Sequence, residues 1–319
     1  MKKWIAGIDI GGTKIAVGLG TRKGKILGKK VFPAKSGRNV QASIAQIHSA
    51  VSGLLLEQGL SNRNLAGIGV AVPGAIDLRR ETIKKSPNLP SWERFPLKRV
   101  LIQKFKVPVF IENDANAAAL GEQFFGSGRA VRDFAYLTIS TGIGSGLVVN
   151  GSLVRGAQGT AGEVGHMTVV PNGLLCHCGK RGCLEAYSSG TAIGDHVKRA
   201  LRKGARSSYF KRISLSEISG ESVSLAANAG DRVAIQARAL AADFLGIGLA
   251  NLINLLNPKR IILGGGVMEN VRHFWTPMMK AVRREAWPMA FCACKIMRSR
   301  LGQNVGDLGA MALVLEQGK

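Results

Sequence analysis

Trp4-Ile5-Ala6-Gly7-Ile8-Asp9-Ile10-Gly11-Gly12-Thr13-Lys14-Ile15-Ala16-Val17-Gly18-Leu19 is the stretch whose reading decides the fold. Trp4 to Ile10 is apolar and β-prone, Gly11-Gly12 interrupt the run, and Ile15 to Leu19 resume it. Lys25 to Phe32 make a third candidate strand after the Arg22-Lys23-Gly24 turn, so the chain opens as an antiparallel meander with glycine at its tight turns. The pattern returns far downstream. Phe134 to Ser140 reads as a strand, Thr141-Gly142-Ile143-Gly144-Ser145-Gly146 as a glycine turn and Leu147 to Val149 as a strand. This echo predicts an internal duplication of two α/β halves.

Between the two openings, Asn39 to Gln58 places Ile44, Ile47, Val51, Leu54 and Leu55 at helical spacing and stops before Gly59. Leu65 to Val72 and Val107 to Ile111 are buried strands, the second ending at Glu112-Asn113-Asp114. A helix over Ala115 to Phe125 follows, because Asn113 or Asp114 can cap it and alanine favours it. Val223 to Asn257 is helical with a break near Gly230, Arg260 to Leu263 is a strand ending in Gly264-Gly265-Gly266, and Gly306 to Leu315 is a final helix. We expect two domains. The smaller spans residues 1–116 and is completed by a C-terminal helix at about 301–319; the larger spans 117–300.

The chain has 319 residues, 46% hydrophobic and 20% charged, which suits a protein with a substantial core. Its net charge of +24 favours polyanionic partners or a merely solubilising surface, and the cations are dispersed rather than gathered into a tail. Five cysteines in tight clusters make a poor disulfide framework and fit a reducing compartment with a metal site. Asp9 and Lys14 interrupt any leader-like run, and no apolar stretch of about 18 residues suggests a membrane span. We expect a cytoplasmic protein without membrane partners.

Four groups of residues carry chemistry. Asp9-Ile10-Gly11-Gly12-Thr13-Lys14 reads either as a hairpin turn or as a phosphate cradle. In the cradle, glycine backbone approaches phosphate oxygens and a strand-end carboxylate holds hydrated Mg²⁺. Glu112-Asn113-Asp114-Ala115-Asn116 is a helix cap or a general base beside an orienting amide. Glu163-Val164-Gly165-His166 with Cys176-His177-Cys178-Gly179-Lys180-Arg181-Gly182-Cys183-Leu184-Glu185 supplies three thiolates and an imidazole, the donor set of a closed structural zinc site. His177 is an alternative to His166 there, and Cys292 and Cys294 read as ordinary buried thiols. Finally, the glycines 142, 144 and 146 and Gly264-Gly265-Gly266 offer two turns able to flank a nucleotide.

These motifs, with Val72-Pro73-Gly74 and Leu263-Gly264-Gly265-Gly266-Val267, resemble in this order the ROK family of sugar kinases and repressors. The resemblance implies an α/β, two-domain hexokinase/actin-like (ribonuclease H-like) fold with a cleft between domains. It implies an ATP-dependent kinase that phosphorylates the 6-hydroxyl of a free hexose. Glucose is the first expectation, with N-acetylglucosamine, N-acetylmannosamine or fructose as rivals and polyphosphate as an alternative donor. By the same resemblance, Asp114 is the catalytic base. Gly74, Asn88, Asn113, Glu163, His166 and Glu185 contact the sugar. Asp9, Gly11, Gly12, Thr13, Lys14, Thr141 and Gly142 surround the phosphates and Mg²⁺, and Gly264 and Gly265 flank adenosine. His166, Cys176, Cys178 and Cys183 hold the zinc, with one nitrogen of His166 on the metal and the other toward the sugar. Regulators of the family place a helix-turn-helix before the glycine motif, which here begins at Asp9, so we expect an enzyme and no specific nucleic-acid partner. Family likeness also implies a homodimer. Ser91, Ser145 and Asn257-Pro258 depart from the common pattern.

Overall fold

The computed structural model describes residues 3–34, 39–77, 82–86 and 89–317. The chain divides into two compact units, one of Met1–Arg132, Gly146–Ala161 and Ser299–Lys319, the other of Asp133–Ser145 and Gly162–Arg298.

The first unit opens with β1 (Trp4–Ile10), β2 (Lys14–Thr21) and β3 (Ile26–Pro33), an antiparallel meander as the sequence predicts. Helix α1 (Val40–Glu57) is capped by the Asn39 side chain, which accepts from the Ala42 N–H. It buries Ile44, Ile47, Val51, Leu54 and Leu55 on one face. β4 (Leu65–Val72) returns parallel to β1. A small hairpin of β5 (Ala75–Asp77) and β6 (Thr82–Lys85) follows, then α2 (Leu97–Phe105), then β7 (Val109–Asn113) parallel to β4, and α3 (Asp114–Phe125). The sheet order is β3-β2-β1-β4-β7.

The second sheet comprises β8 (Phe134–Ile139), β9 (Ile143–Val149), β10 (Ser152–Leu153), β11 (Arg260–Gly264) and β12 (Lys295–Arg298), ordered β10-β9-β8-β11-β12. Counted within each sheet, both orders are third, second, first, fourth, fifth. The duplication read from the echo of glycine turns is therefore present at the level of topology. β12 has no counterpart in the sequence reading. It is a four-residue strand paired parallel to β11, with no fully buried residue, so it carries almost no apolar pattern.

The remaining helices are α4 (Glu185–Ser188), α5 (Gly190–Arg202), α6 (Gly220–Asn228), α7 (Arg232–Leu256), α8 (Trp275–Glu285), α9 (Pro288–Ala293) and α10 (Val305–Glu316). The break expected near Gly230 separates α6 from α7, whose N-cap Asp231 accepts from the Ala234 N–H. Asn257 ends α7 in the left-handed conformation, its N–H donating to the Ile253 carbonyl, and Pro258 prevents continuation. That C-cap gives the Asn257-Pro258 departure a backbone role.

Three expectations need correction. Helix α7 is, among the described residues, long and apolar enough to cross a membrane by composition; half of its most apolar window is buried in the protein. Cys292 is exposed and Cys294 half-buried, because both lie at the end of the short helix α9 beside an edge strand. The dividing line expected near residue 116 also moves. α3 and the β10 hairpin group with the first unit, where α10 packs against α3, β1 and β4. α10 approaches the sheet closely: a Cβ on Gly69 would lie only 1.7 Å from the Ala310 carbonyl oxygen.

Candidate active site

In the first unit, the central strand β1 carries Asp9 near its C-terminal end, beside the turn in which the Gly11 N–H donates to the Lys14 carbonyl at 2.9 Å. Gly11 and Gly12 are half-buried and Thr13 and Lys14 exposed. The Asp9 carboxyl lies against Gly306 at the start of α10. Burial, and next the neighbouring Asp307 carboxylate, push its pKa up to about 6, against the pull of Lys14 and Lys29. Asp307 is itself buried and ion-paired with Lys29. A carboxylate this reluctant to ionise alone fits a role beside a cation.

The end of β7 and the start of α3 form one polar corner. Asn113 is the N-cap: its Oδ1 accepts from the Ala115 N–H at 2.9 Å and the Asn116 N–H at 3.1 Å, and its Nδ2 donates to the Gly74 carbonyl at 3.2 Å. Asp114 follows as the first helical residue, exposed, with Oδ1 accepting from the Ala115 N–H at 2.8 Å. Asn113 thus takes the cap, and Asp114 is presented to solvent at the helix N-terminus. Behind them Glu112 is buried and meets Arg155 of the β10 segment, a contact the sequence did not signal because the partners lie far apart in the chain. Asn88 lies outside the described residues.

In the second unit, a short turn of helix, Val164–His166, presents Glu163 and His166. Cys176 to Cys183 forms a knuckle closed by the Cys176 N–H on the Lys180 carbonyl and the Gly179 N–H on the Cys176 carbonyl. One donor atom each from His166, Cys176, Cys178 and Cys183 lies within 4.8 Å of the others. His166 Nδ1 is 3.8 Å from Cys176 Sγ, and Cys178 Sγ is 3.7 Å from Cys183 Sγ. Tetrahedral zinc with Zn–S bonds of about 2.3 Å separates its sulfurs by about 3.8 Å, so both the donor set and the spacing fit zinc. Burial pushes the Cys183 thiol up to about 12, a group that ionises readily only beside a cation. His177 is exposed and outside this group, which leaves His166 as the imidazole donor.

The same imidazole turns its Nε2 toward Glu163, whose Oε2 is 3.9 Å away. Glu185 completes the neighbourhood. Its Oε2 accepts from the Ile143 N–H at 2.8 Å and lies against Gly142, and its Oε1 is 4.0 Å from Cys176 Sγ. Ser145 donates its hydroxyl to the Gly162 carbonyl, bracing the residue before Glu163, so this departure from the common pattern also has a local role.

A cleft of about 720 Å³ lies within the second unit, lined by residues including Thr141, Gly190, Ser219, Arg238, Gly266 and Val267. Thr191 Oγ1 donates to the Thr141 carbonyl at 2.9 Å, tying the glycine turn to α5. The expected Gly264 and Gly265 lie just before the lining residues. Gly264 packs on Tyr136 and Gly265 takes φ +89°, a conformation glycine adopts at little cost and one that leads Gly266 and Val267 to the cleft wall. Arg238 was missed because an arginine inside an apolar helix looks incidental. It is buried, donates to the Asn270 and Arg272 carbonyls and lies over the Phe274 ring.

The profile of the ROK family matches residues 5–317. Glucokinase of Thermotoga maritima is 36% identical over 314 residues, covering 98% of each chain. The xylose repressor of Caldicellulosiruptor bescii is 32% identical over 311 residues, which are 98% of this chain and 78% of the repressor. Among solved structures, a ROK family glucokinase from Streptomyces griseus in complex with glucose and AMPPNP superposes with a TM-score of 0.81 at 34% identity, covering 98% of this chain and 99% of that one.

Proposed function

The chain belongs to the ROK family, and we propose that it is an ATP-dependent hexose kinase that transfers the γ-phosphate to the 6-hydroxyl of a free sugar, glucose first. The observation that carries this reading is the orientation of His166, with Nδ1 toward the thiol cluster and Nε2 toward Glu163. One ring nitrogen is set by the metal ligands, which fixes the tautomer and leaves the other beside a carboxylate, an arrangement suited to vicinal sugar hydroxyls. Glu185, held by the Ile143 N–H, adds a second acceptor. His166, Cys176, Cys178 and Cys183 would hold zinc, which would supply rigidity to the sugar-facing imidazole.

Asp114 accepts the proton of the 6-hydroxyl as that oxygen bonds to the γ-phosphorus and the bond to the bridging oxygen of ADP breaks. Asn113, Gly74 and Asn88 hold neighbouring hydroxyls. The Gly11-Gly12-Thr13 turn, Lys14, Thr141 and Gly142 receive the phosphates, and the cleft walled by Gly266 and Val267 receives the adenosine beside Gly264 and Gly265. Mg²⁺ near Asp9 would neutralise phosphate charge, the main demand of phosphoryl transfer. The free cysteines support a reducing, cytoplasmic setting. We place the protein there as a homodimer, a state that light scattering tests directly.

A panel of hexoses and their N-acetylamino derivatives with ATP–Mg²⁺, repeated with polyphosphate, decides acceptor and donor by kcat/KM. We expect glucose with ATP to lead. Asp114→Asn should lower kcat by about 10²- to 10⁴-fold, the usual worth of a positioned base, while glucose binding by calorimetry stays within a few fold. Near-normal turnover of that variant would remove Asp114 from the role. Specific retention of an operator fragment at physiological salt with no sugar turnover would favour a regulator instead.

A further inference from the structure

Glu112 is a buried carboxylate two residues before the proposed base, with 3% of its surface exposed. Its Oε1 accepts from the Asn113 N–H at 3.0 Å and from the Asn116 side-chain amide at 3.2 Å. It therefore brackets Asp114 on both sides in sequence. Its Oε2 accepts from Arg155 Nε at 2.7 Å, and Arg155 Nη2 donates to Glu316 Oε2 at 2.6 Å. One guanidinium thus joins the end of β7 to the last residue of α10, with two carboxylates on different nitrogens of a planar fork. All of these residues belong to the first unit. Lysine could supply the charge and N–H donors, but from one nitrogen rather than from two held apart on a rigid fork.

We infer that Arg155 is a positioning residue for the transfer reaction: it anchors Glu112, and through Glu112 it holds the backbone from Asn113 to Asn116 that presents Asp114. This rests on the reading of Asp114 as the base. Asn113 depends on the same anchor, since its backbone N–H is held by Glu112 while its side chain caps α3 and reaches Gly74. Without Arg155, Glu112 is a buried charge without its cation and must turn toward water, which releases both donors that frame Asp114. Displacements of about 1 Å at a reacting group cost up to about 100-fold in rate.

The experiment compares the full-length wild type with Arg155→Met, Arg155→Lys, Glu112→Gln/Arg155→Met and Asp114→Asn. It measures kcat and KM for glucose and ATP, the thermal midpoint, and hydrogen exchange over residues 112–118. Arg155→Met should lose about 10- to 100-fold in kcat with each KM within a few fold, and exchange over 112–118 should rise. Arg155→Lys should recover less than half of the lost kcat on a logarithmic scale. The double variant removes the stranded charge, so it should regain thermal stability without regaining kcat, a split that a merely structural role does not produce. Wild-type kcat in folded Arg155→Met, or recovery of kcat together with stability in the double variant, overturns the proposal. Failure of the base assignment is separable: an active Asp114→Asn removes the base, whereas an inactive Asp114→Asn beside a normal Arg155→Met removes only the anchor. If no hexose is turned over, unchanged exchange over 112–118 in Arg155→Met is the overturning result.

Discussion

Asp9 holds its proton more tightly than an ordinary aspartate, first because partial burial strips water from its carboxyl and next because Asp307 lies beside it. A pKa of about 6 in the folded chain against 3.8 for an ordinary aspartate means that the folded state binds the proton preferentially. The group therefore favours folding at low pH, and that contribution is lost as pH rises through about 6. The gap is worth at most about 3 kcal/mol and less after solvent screening, because Asp9 is only half-buried. We expect the ligand-free protein to lose stability between about pH 4 and 6 through this group, and Asp9→Asn to flatten that slope and stabilise the chain at pH 7.5 by roughly 1–3 kcal/mol. Turnover should fall in the same variant. Denaturant midpoints at both pH values check the first part; an unchanged slope would show that the carboxyl does not carry the effect. At this scale Asp9 was legible because it ends an apolar run before two glycines. Asp307 and Arg155 were not, since each acquires its role from partners that only the fold brings near.

The His166–Cys176–Cys178–Cys183 cluster is the element that sequence alone located most completely. Cys176, Cys178 and Cys183 lie within one tight loop, so local spacing nearly defines the site, and His166 is ten residues from Cys176. Helices α1, α3 and α7 were equally readable, because cap residues and the period of their apolar faces are local signals. Strand β12 and helix α5 were not. The first is a backbone partner of β11 with little side-chain burial, and the second carries so many cations that its buried Ile193 and Val197 did not stand out. Because the knuckle both fixes His166 and lies against Glu185, Cys178→Ser should couple metal loss to sugar recognition. We expect zinc content by atomic absorption to drop to near zero and KM for glucose to rise by about 10-fold or more, the scale on which supporting shells of metal sites act. Zinc loss with an unchanged KM would separate the metal from the sugar.

At the scale of the whole molecule, two sheets of the same strand order arise from two stretches that share only a strand, a glycine turn and a strand. Topology was legible there because both halves needed the same tight turn, whereas the grouping of α3 and the β10 hairpin with the first unit depends on how α10 packs, which no local pattern encodes. The net charge of +24 is also a property of the whole chain, from 44 lysines and arginines against 20 acidic residues. Such an excess repels itself in the compact state. Ion pairs such as Arg284 with Asp243 and Lys198 with Asp195 offset little of it, since solvent screens exposed pairs. Screening should therefore help the fold more than it weakens these pairs. Raising salt from about 10 mM to about 150 mM shortens the screening length from about 30 Å to about 8 Å. We expect the thermal midpoint to rise by about 2–4 °C over that range, the shift that roughly 1 kcal/mol gives in a large domain. Polyphosphate at low salt should raise it similarly and lose the effect at high salt. A midpoint that falls with added salt would mean that the surface pairs outweigh the long-range repulsion, and the excess charge would then not limit stability.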